Sequence, residues 1–209
     1  MNDSNAAELR SSQARGVKLT VEASADGLKL GRMKLPGTRK LSLRLIVDNT
    51  SATPYLCRPI EHGATLVVHS MTKYMTGNGS VTGGVVVDSG KFDWSASDKF
   101  PSLSQPEPAY HGLKFAETFG PLAFTFHGIA IGLRDLGMTL NPQAAHYTLM
   151  GIETLSLRME RHTQNAETVA AWLETNPHVD GVTYAGLPSS PYYERAKRIC
   201  PKGTGGLFT

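Results

Sequence analysis

Three short apolar runs between Ile46 and Val87 constrain the fold of this chain more than any other feature of its sequence. The runs lie at 46–47, 66–68 and 85–87, each ends at polar residues, and a helix-sized stretch separates the first two. Short apolar strands joined by such a connection predict a parallel β-α-β unit that is buried on both faces. Open sheets of this kind carry their chemistry just beyond the carboxyl ends of the strands.

Asp48 and Lys73 both follow predicted strands, so we expect them to face one site. A carboxylate and an amine in this arrangement suit pyridoxal phosphate, which needs an amine to attach to and a carboxylate to keep its ring nitrogen protonated. Ser70 and Thr72 flank the lysine and would offer hydroxyl groups to the phosphate. The pattern alone is weak, because most lysines after a strand are simply solvated and Asp-Asn-Thr is a common turn or helix cap.

A resemblance to a known family supports the functional interpretation. The segments that carry it are 47–50, 52–56, 69–74, 83–94, 110–112 and 153–162. They resemble the cofactor-lysine region of the Cys/Met-metabolism family of pyridoxal-phosphate enzymes, and above all its O-acetylhomoserine sulfhydrylase branch. The likeness runs from about Leu45 to Thr209, with Met71 where the family usually carries alanine.

The resemblance implies an α/β fold of the aspartate-aminotransferase type, with part of a large domain and the start of an α+β small domain. The implied reaction replaces the γ-substituent of O-acetyl-L-homoserine by sulfide or methanethiol, so that acetate leaves and homocysteine or methionine forms. Lys73 would hold the cofactor and carry protons between substrate carbons, and Asp48 would keep the ring nitrogen protonated. Ser70 and Thr72 would anchor the phosphate. Thr50 and Asn49 are further candidates for contacts beside the ring.

Three regions are expected along the chain: an atypical N-terminal segment at 1–44, a partial cofactor-binding domain at 45–150, and a linking helix with an incomplete small domain at 151–209. Residues 1–16 resemble a mobile terminus, and the alternation at 17–35 predicts a hairpin. The family's phosphate-cradling glycine segment, ring-stacking aromatic and residues lent to a partner subunit are not found at 1–44. We therefore expect a chain truncated at both ends, with little γ-replacement activity alone, from a family of dimers or tetramers.

Two alternatives to the sulfhydrylase interpretation remain open. A cystathionine γ-synthase or lyase would share Asp48 and Lys73, although the segment 88–94 and the loop after it favour the sulfhydrylase branch. The chain could instead be a non-catalytic remnant that binds partners or folds poorly. The absence of an arginine for the substrate carboxylate, expected further along in the family, favours this second alternative.

Breakers and periodicity predict the remaining elements. They are an interrupted helix at 54–64, a glycine-rich turn at 77–84, a loop at 95–112, a buried helix at 115–140, a long helix from 142 to 175, a strand at 179–184, a short helix at 191–200, and the start of a strand at 207–209.

Composition and spacing exclude several classes of function. The net charge of +3 comes from scattered residues, so no nucleic-acid partner is expected. No apolar run reaches the roughly 18 residues of a membrane span, and 1–15 lacks the apolar centre of a signal peptide. The 7 histidines show no metal-ligand spacing, so no metal site is expected. Two cysteines, Cys57 and Cys200, form no disulfide framework, which favours a reducing compartment and a cytoplasmic location.

Overall fold

A three-stranded sheet stands at the start of the part of the chain that the computed structural model describes, residues 45–96 and 98–209. The strands are β1 (Ile46–Asp48), β2 (Leu66–Ser70) and β3 (Gly84–Asp88), in the order β1-β2-β3. β1 and β2 pair in parallel, as predicted, and β3 pairs antiparallel to β2. The predicted burial on both faces is wrong for β1 and β3, where Ile46 is 58% and Val86 51% exposed. Only the central strand lies mostly in the interior.

The connection between β1 and β2 is interrupted, as predicted. It contains α1 (Thr53–Leu56) and a separate 3-10 turn at Pro59–His62. Each begins with a proline in its first turn, where the missing N–H costs nothing. Gly63 ends the second turn with a φ of 94°, a conformation that favours glycine. The result is a short connection that returns the chain to the sheet.

Helices make up most of the chain after β3. They are α2 (Pro101–Ser104), α3 (Phe115–Phe119), α4 (Ala123–His127), α5 (Pro142–Glu153), α6 (Leu155–Glu174) and α7 (Tyr193–Ile199). Short turns of 3-10 helix lie at Pro108–Tyr110 and Gly120–Leu122, and Gly128–Asp135 is π-helical. The predicted loop at 95–112 thus contains two short helical turns, and the predicted short helix at 191–200 is confirmed as α7.

The long helix predicted from residue 142 is two helices. The Asn141 side chain caps the first by accepting from the backbone N–H groups of Gln143 and Ala144 at 2.8 and 3.4 Å. Thr154 separates α5 from α6, and α6 ends at Glu174, just before Asn176-Pro177 as predicted. A threonine is a poor helix former, which is consistent with a break at this position.

The buried helix predicted at 115–140 is wrong in two respects. Gly120, with a φ of 50°, and Pro121 break it into shorter pieces. The apolar residues at helical spacing are 38% to 67% exposed; they are Leu122, Phe126, Ile129, Leu133 and Leu136. Their regular spacing marks one face of the segment, and among the described residues nothing covers that face.

Aromatic side chains form the largest core cluster. Trp94 packs against Phe124 with ring centroids 5.3 Å apart, and Phe115 is almost fully buried beside them. Two smaller clusters support α6, one formed by Leu56, Leu155 and Met159 and the other by Ala166, Ala170, Tyr184 and Leu187. The helix α6 therefore joins the region after β1 to the C-terminal segment.

The strand predicted at 179–184 does not form as a regular element. Instead Thr183 and Thr209 exchange two backbone hydrogen bonds of 2.5 and 3.1 Å, which pair the two predicted strand segments at a single point. The predicted hairpin and mobile terminus before residue 45 lie outside the described residues. Within the described part, no helix combines the length and the apolar character that crossing a membrane requires.

Candidate active site

A chain of hydrogen bonds joins the carboxyl ends of β1 and β2. Asp48 Oδ1 accepts from the backbone N–H of Thr50 at 3.0 Å and from its hydroxyl at 2.5 Å. The Thr50 hydroxyl oxygen in turn accepts from the backbone N–H of Ser70 at 2.8 Å. The parallel pairing of the strands allows this, because it brings both carboxyl ends to one edge. Asp48 and the segment that leads to Lys73 are thereby held at the same edge of the sheet.

The Asp48 carboxylate is exposed and favours its ionised form. The hydrogen bonds from Thr50, first that of its hydroxyl and then that of its backbone, lower the pKa of Asp48 below its ordinary value. Desolvation acts in the opposite direction and is outweighed by these hydrogen bonds. Asp48 is therefore a carboxylate at neutral pH, as a partner for a protonated ring nitrogen must be.

His69 lies buried below this edge, as expected of a structural histidine. Burial lowers the pKa of its imidazole, which hydrogen-bonds to the backbone of Asn49. Its Nδ1 atom has no hydrogen-bond partner within the described part of the chain, so the histidine is only partly satisfied. The neighbouring Asn49 is also buried and donates from Nδ2 to the carbonyl groups of Thr53 and Cys57 at 3.1 and 2.9 Å. Asn49 thus fixes the turn after Asp48.

Lys73 is exposed on a tight turn that follows β2 directly. Its backbone N–H donates to the Ser70 carbonyl at 3.3 Å, and its own carbonyl accepts from Gly77 at 2.8 Å. A further bond of 3.0 Å from Thr76 to Met71 closes the turn. We call residues 70–77 the lysine turn. It presents the amine to solvent at the sheet edge that also carries Asp48.

The predicted glycine-rich segment returns beside the lysine turn. Thr72 binds it on both sides: its hydroxyl accepts from the Gly83 N–H at 3.0 Å and donates to the Gly83 carbonyl at 3.3 Å. The buried Met71 side chain also lies against Gly83, where a Cβ atom would be only 3.0 Å from Met71 Cε. The glycine leaves room for a methionine in the place of the family's usual alanine. Ser70 and Thr72 are both half-buried, and it is the Thr72 hydroxyl that is engaged with Gly83.

Arg158 on α6 also holds the lysine turn. The apolar pattern of α6 did not indicate this role. Its guanidinium donates to the carbonyl groups of Tyr74 at 2.8 Å and Gly151 at 2.6 Å, and to the Thr154 hydroxyl at 3.1 Å. A cation at the last carbonyls of α5 is favourable. Burial lowers the pKa of Arg158. We call these contacts the arginine clamp; the resemblance included Arg158 in a motif without assigning it a task.

Gly151 allows α5 to touch the lysine turn. A Cβ atom at this position would be 2.3 Å from the Thr76 carbonyl oxygen and 2.6 Å from that of Met75. A hydrogen bond of 3.0 Å between the hydroxyls of Thr76 and Thr148 joins the two elements one turn earlier in α5. The lysine turn is therefore in contact with both α5 and α6.

Gly151→Ala should destabilise the chain by about 1–3 kcal/mol, because the new methyl group overlaps backbone atoms that cannot rotate away. Gly128→Ala is the matched control: it also replaces a helical glycine, and a Cβ atom there meets none of the described atoms within 4 Å. Alanine in an open helical position should stabilise by up to about 1 kcal/mol. Urea unfolding of both variants checks the ordering, and equal stability would show that α5 does not press on the lysine turn.

The chain is similar to known proteins over the region that contains these residues. A family model described as Cys/Met metabolism PLP-dependent enzyme matches residues 35–209, a start that lies before the predicted Leu45. Homocysteine synthase of Schizosaccharomyces pombe is 49% identical over 167 residues, which are 79% of this chain and 39% of that protein. O-acetyl-L-homoserine sulfhydrylase of Leptospira meyeri is 42% identical over 178 residues, 81% of this chain and 40% of that protein. The chain thus spans about two fifths of the length of these relatives.

A solved structure agrees with the fold. The crystal structure of a putative O-acetylhomoserine (thiol)-lyase from Campylobacter jejuni superposes with a TM-score of 0.74 at 38% sequence identity. The superposition covers 79% of this chain and 41% of that one. That structure contains N'-pyridoxyl-lysine-5'-monophosphate, a lysine joined to the cofactor. The predicted fold class, a partial large domain of a pyridoxal-phosphate enzyme, is confirmed.

Proposed function

Because the chain belongs to the Cys/Met metabolism family of PLP-dependent enzymes, we propose that it supplies the cofactor-lysine region of an O-acetylhomoserine sulfhydrylase. The reaction replaces the acetate group of O-acetyl-L-homoserine by sulfide or methanethiol and yields homocysteine or methionine. The observation that carries the proposal is the Asp48–Thr50–Ser70 chain of hydrogen bonds, which ties a carboxylate to the turn that bears a lysine. Relatives named for homocysteine synthesis and O-acetylhomoserine support this substrate over others.

The residues at the sheet edge fit pyridoxal phosphate by their chemistry. Asp48 offers an ionised carboxylate for the ring nitrogen, with one of its oxygens oriented by Thr50. Lys73 offers an exposed amine for the covalent link, and Ser70 a half-buried hydroxyl for the phosphate. Thr72 would have to exchange its bond to the Gly83 carbonyl for one to the phosphate, so we assign it a weaker role than Ser70 in binding the phosphate.

When bound, pyridoxal phosphate supplies an electron sink that stabilises negative charge on the substrate carbon beside the amino group. The chain's own residues do the rest. Asp48 keeps a proton on the ring nitrogen by pairing with it. The Lys73 amine would carry protons between the α-, β- and γ-carbons of the substrate. Thr50 holds the Asp48 carboxylate in position relative to the lysine turn, because its hydroxyl contacts both.

A chimera tests the proposed reaction. Residues of this chain replace the aligned segment of the Schizosaccharomyces pombe homocysteine synthase, to which it is 49% identical. We expect homocysteine from O-acetylhomoserine and sulfide, and no cystathionine when cysteine replaces sulfide. The same chimera with Lys73→Ala is the matched control and should be inactive. Cystathionine as the main product would favour the cystathionine γ-synthase alternative, and an inactive chimera that binds the cofactor would favour a non-catalytic remnant.

We propose that the longer protein is a homo-oligomer, a dimer or a tetramer. The support is the exposed apolar face at 122–136, which includes Leu122, Ile129 and Leu133. Faces of this kind on a soluble chain are usually covered by another part of the protein or by a second copy. Light scattering coupled to size exclusion would give the mass of the assembly, and a monomer would contradict the proposal.

We propose a cytoplasmic location. Both cysteines are free thiols, the usual state in a reducing compartment. Imaging of a fluorescent fusion would test the location, and a secreted or organellar signal would exclude it.

A further inference from the structure

Cys57 and Cys200 are far apart in the sequence but adjacent in the fold. Cys57 directly follows α1, and Cys200 directly follows α7. Their thiol groups hydrogen-bond to each other, and neither is part of a disulfide. Because so long a stretch of chain separates the two residues, the folded structure alone brings them together.

Several contacts besides the thiols keep Cys200 at this place. The Lys202 ammonium lies 4.2 Å from the centre of the Tyr55 ring, a cation–π contact. The Tyr55 hydroxyl donates to Glu160 on α6 at 2.6 Å, which holds the ring in position. A Cβ atom on Gly205 would be 3.7 Å from Leu56 Cδ1, so the segment that follows Cys200 runs along α1.

The two thiols differ in access and in acidity. Cys57 is buried, whereas Cys200 is partly exposed and lines a cavity of about 540 Å³ that Lys197 and Lys202 also line. The hydrogen bond from the Cys57 thiol lowers the pKa of Cys200 to about 7 and raises the pKa of Cys57. The lowered pKa favours the thiolate form of the accessible cysteine, which is the form that reacts with oxidants.

We propose that Cys57 and Cys200 form a reversible disulfide when the chain meets a hydroperoxide. The Cys200 thiolate attacks the peroxide, so that an S–O bond forms, the O–O bond breaks, and an alcohol or water leaves. The Cys57 sulfur then attacks the Cys200 sulfur: the S–O bond breaks, the S–S bond forms, and the Cys57 proton leaves in water. Two thiols lose two electrons in total and the peroxide gains them. Glutathione reverses the step by thiol exchange.

The disulfide would join the C-terminal segment to the turn beside Asp48. The Cys57 carbonyl accepts from Asn49 Nδ2 at 2.9 Å, and Asn49 follows Asp48 directly. Oxidation therefore fastens residues 200–206 to the part of the chain that orients the carboxylate. This inference does not depend on the proposed reaction, since it concerns only the two thiols and their neighbours.

Peroxide treatment of the reduced 209-residue chain tests the proposal. We expect both thiols to disappear together, one cross-linked peptide that contains Cys57 and Cys200, and recovery of both thiols with glutathione. Because Cys200 reacts first, Cys200→Ser should slow the loss of the Cys57 thiol at least about 10-fold, whereas Cys57→Ser should leave Cys200 reactive as a sulfenic acid. A Cys200 oxidised beyond sulfenic acid beside a free Cys57, or a disulfide between two chains, would overturn the proposal.

Equilibration with glutathione and its disulfide separates the effect of the fold from chance pairing. The native chain should favour the Cys57–Cys200 disulfide at least about 10-fold over the same chain in urea, where the long loop opposes closure. Equal equilibrium constants in the two conditions would show that the fold does not bring the thiols together, and would also overturn the proposal.

Discussion

Borohydride reduction of the chain loaded with pyridoxal phosphate should attach the cofactor permanently to Lys73 and to no other lysine. Lys73 is the only lysine among the described residues on the turn that follows β2, and Thr50 ties this turn to Asp48. A primary amine can bond to the cofactor's aldehyde and a guanidinium cannot. Lys73→Arg should therefore reduce the label to background, the largest effect that we expect from any single substitution.

Lys91→Arg is the matched control, since Lys91 is also exposed and follows a neighbouring strand of the same sheet. It should leave the label unchanged. Digestion and mass spectrometry identify the labelled peptide. A label on a different lysine, or an unlabelled chain that nevertheless binds the cofactor, would remove Lys73 from the proposed site.

Asp48→Asn should leave the covalent attachment in place but lower turnover of the chimera about 10- to 150-fold. The loss of one charge-assisted hydrogen bond to the ring nitrogen, worth about 1.5–3 kcal/mol, sets this range. The fold should tolerate the change, because an amide oxygen can still accept the two hydrogen bonds that Thr50 donates to Asp48 Oδ1. Turnover and cofactor labelling, measured on the same sample, separate the electronic effect from misfolding.

Asp180→Asn provides the control for the loss of one exposed negative charge. It should change neither labelling nor turnover. An Asp48→Asn chimera with the turnover of the parent would exclude a pairing between Asp48 and the ring nitrogen, whatever the result for Lys73.

The sequence predicted the family, the fold class and the parallel pairing of β1 with β2, all of which are confirmed. Short apolar runs with polar ends are a local feature of the sequence, and the paired strands form at these runs. The short helix after Pro191 and the cap at Asn141 are also local features, and both are found. The domain boundaries at 45 and 150 and the roles of the site residues stay predictions.

Burial was predicted less well, because apolar spacing shows which residues share a face but not what covers that face. Leu122, Phe126 and Leu136 have the spacing of a core helix and are nevertheless exposed. The break at Gly120-Pro121 had a visible local cause that the helical periodicity outweighed in our interpretation. The same reasoning applies to β1 and β3. Their apolar residues predict strands, but they do not show whether another element covers each face of the strand.

Long-range contacts had no signal in the single sequence. Nothing in the spacing of Cys57 and Cys200 indicates that their thiols meet, since the contact depends on the path of residues 200–206 along α1. Arg158 lies off the apolar stripe of α6 and would ordinarily be taken for a solvated side chain. Only its position one helical turn after Thr154, at the junction of two helices, hints at a capping role.

The arginine clamp fixes one end of α6 against the lysine turn. Arg158 grips the lysine turn near the beginning of the helix, and about 24 Å of helix separates it from the last residue, Glu174. If α6 rocks about this fixed end by about 10°, Glu174 sweeps about 4 Å while the backbone around Lys73 hardly shifts. The helix would then pivot about the end that contacts the lysine turn. Under such a tilt the residues after 174 would change position while the backbone around Lys73 keeps its place at the ends of β1 and β2.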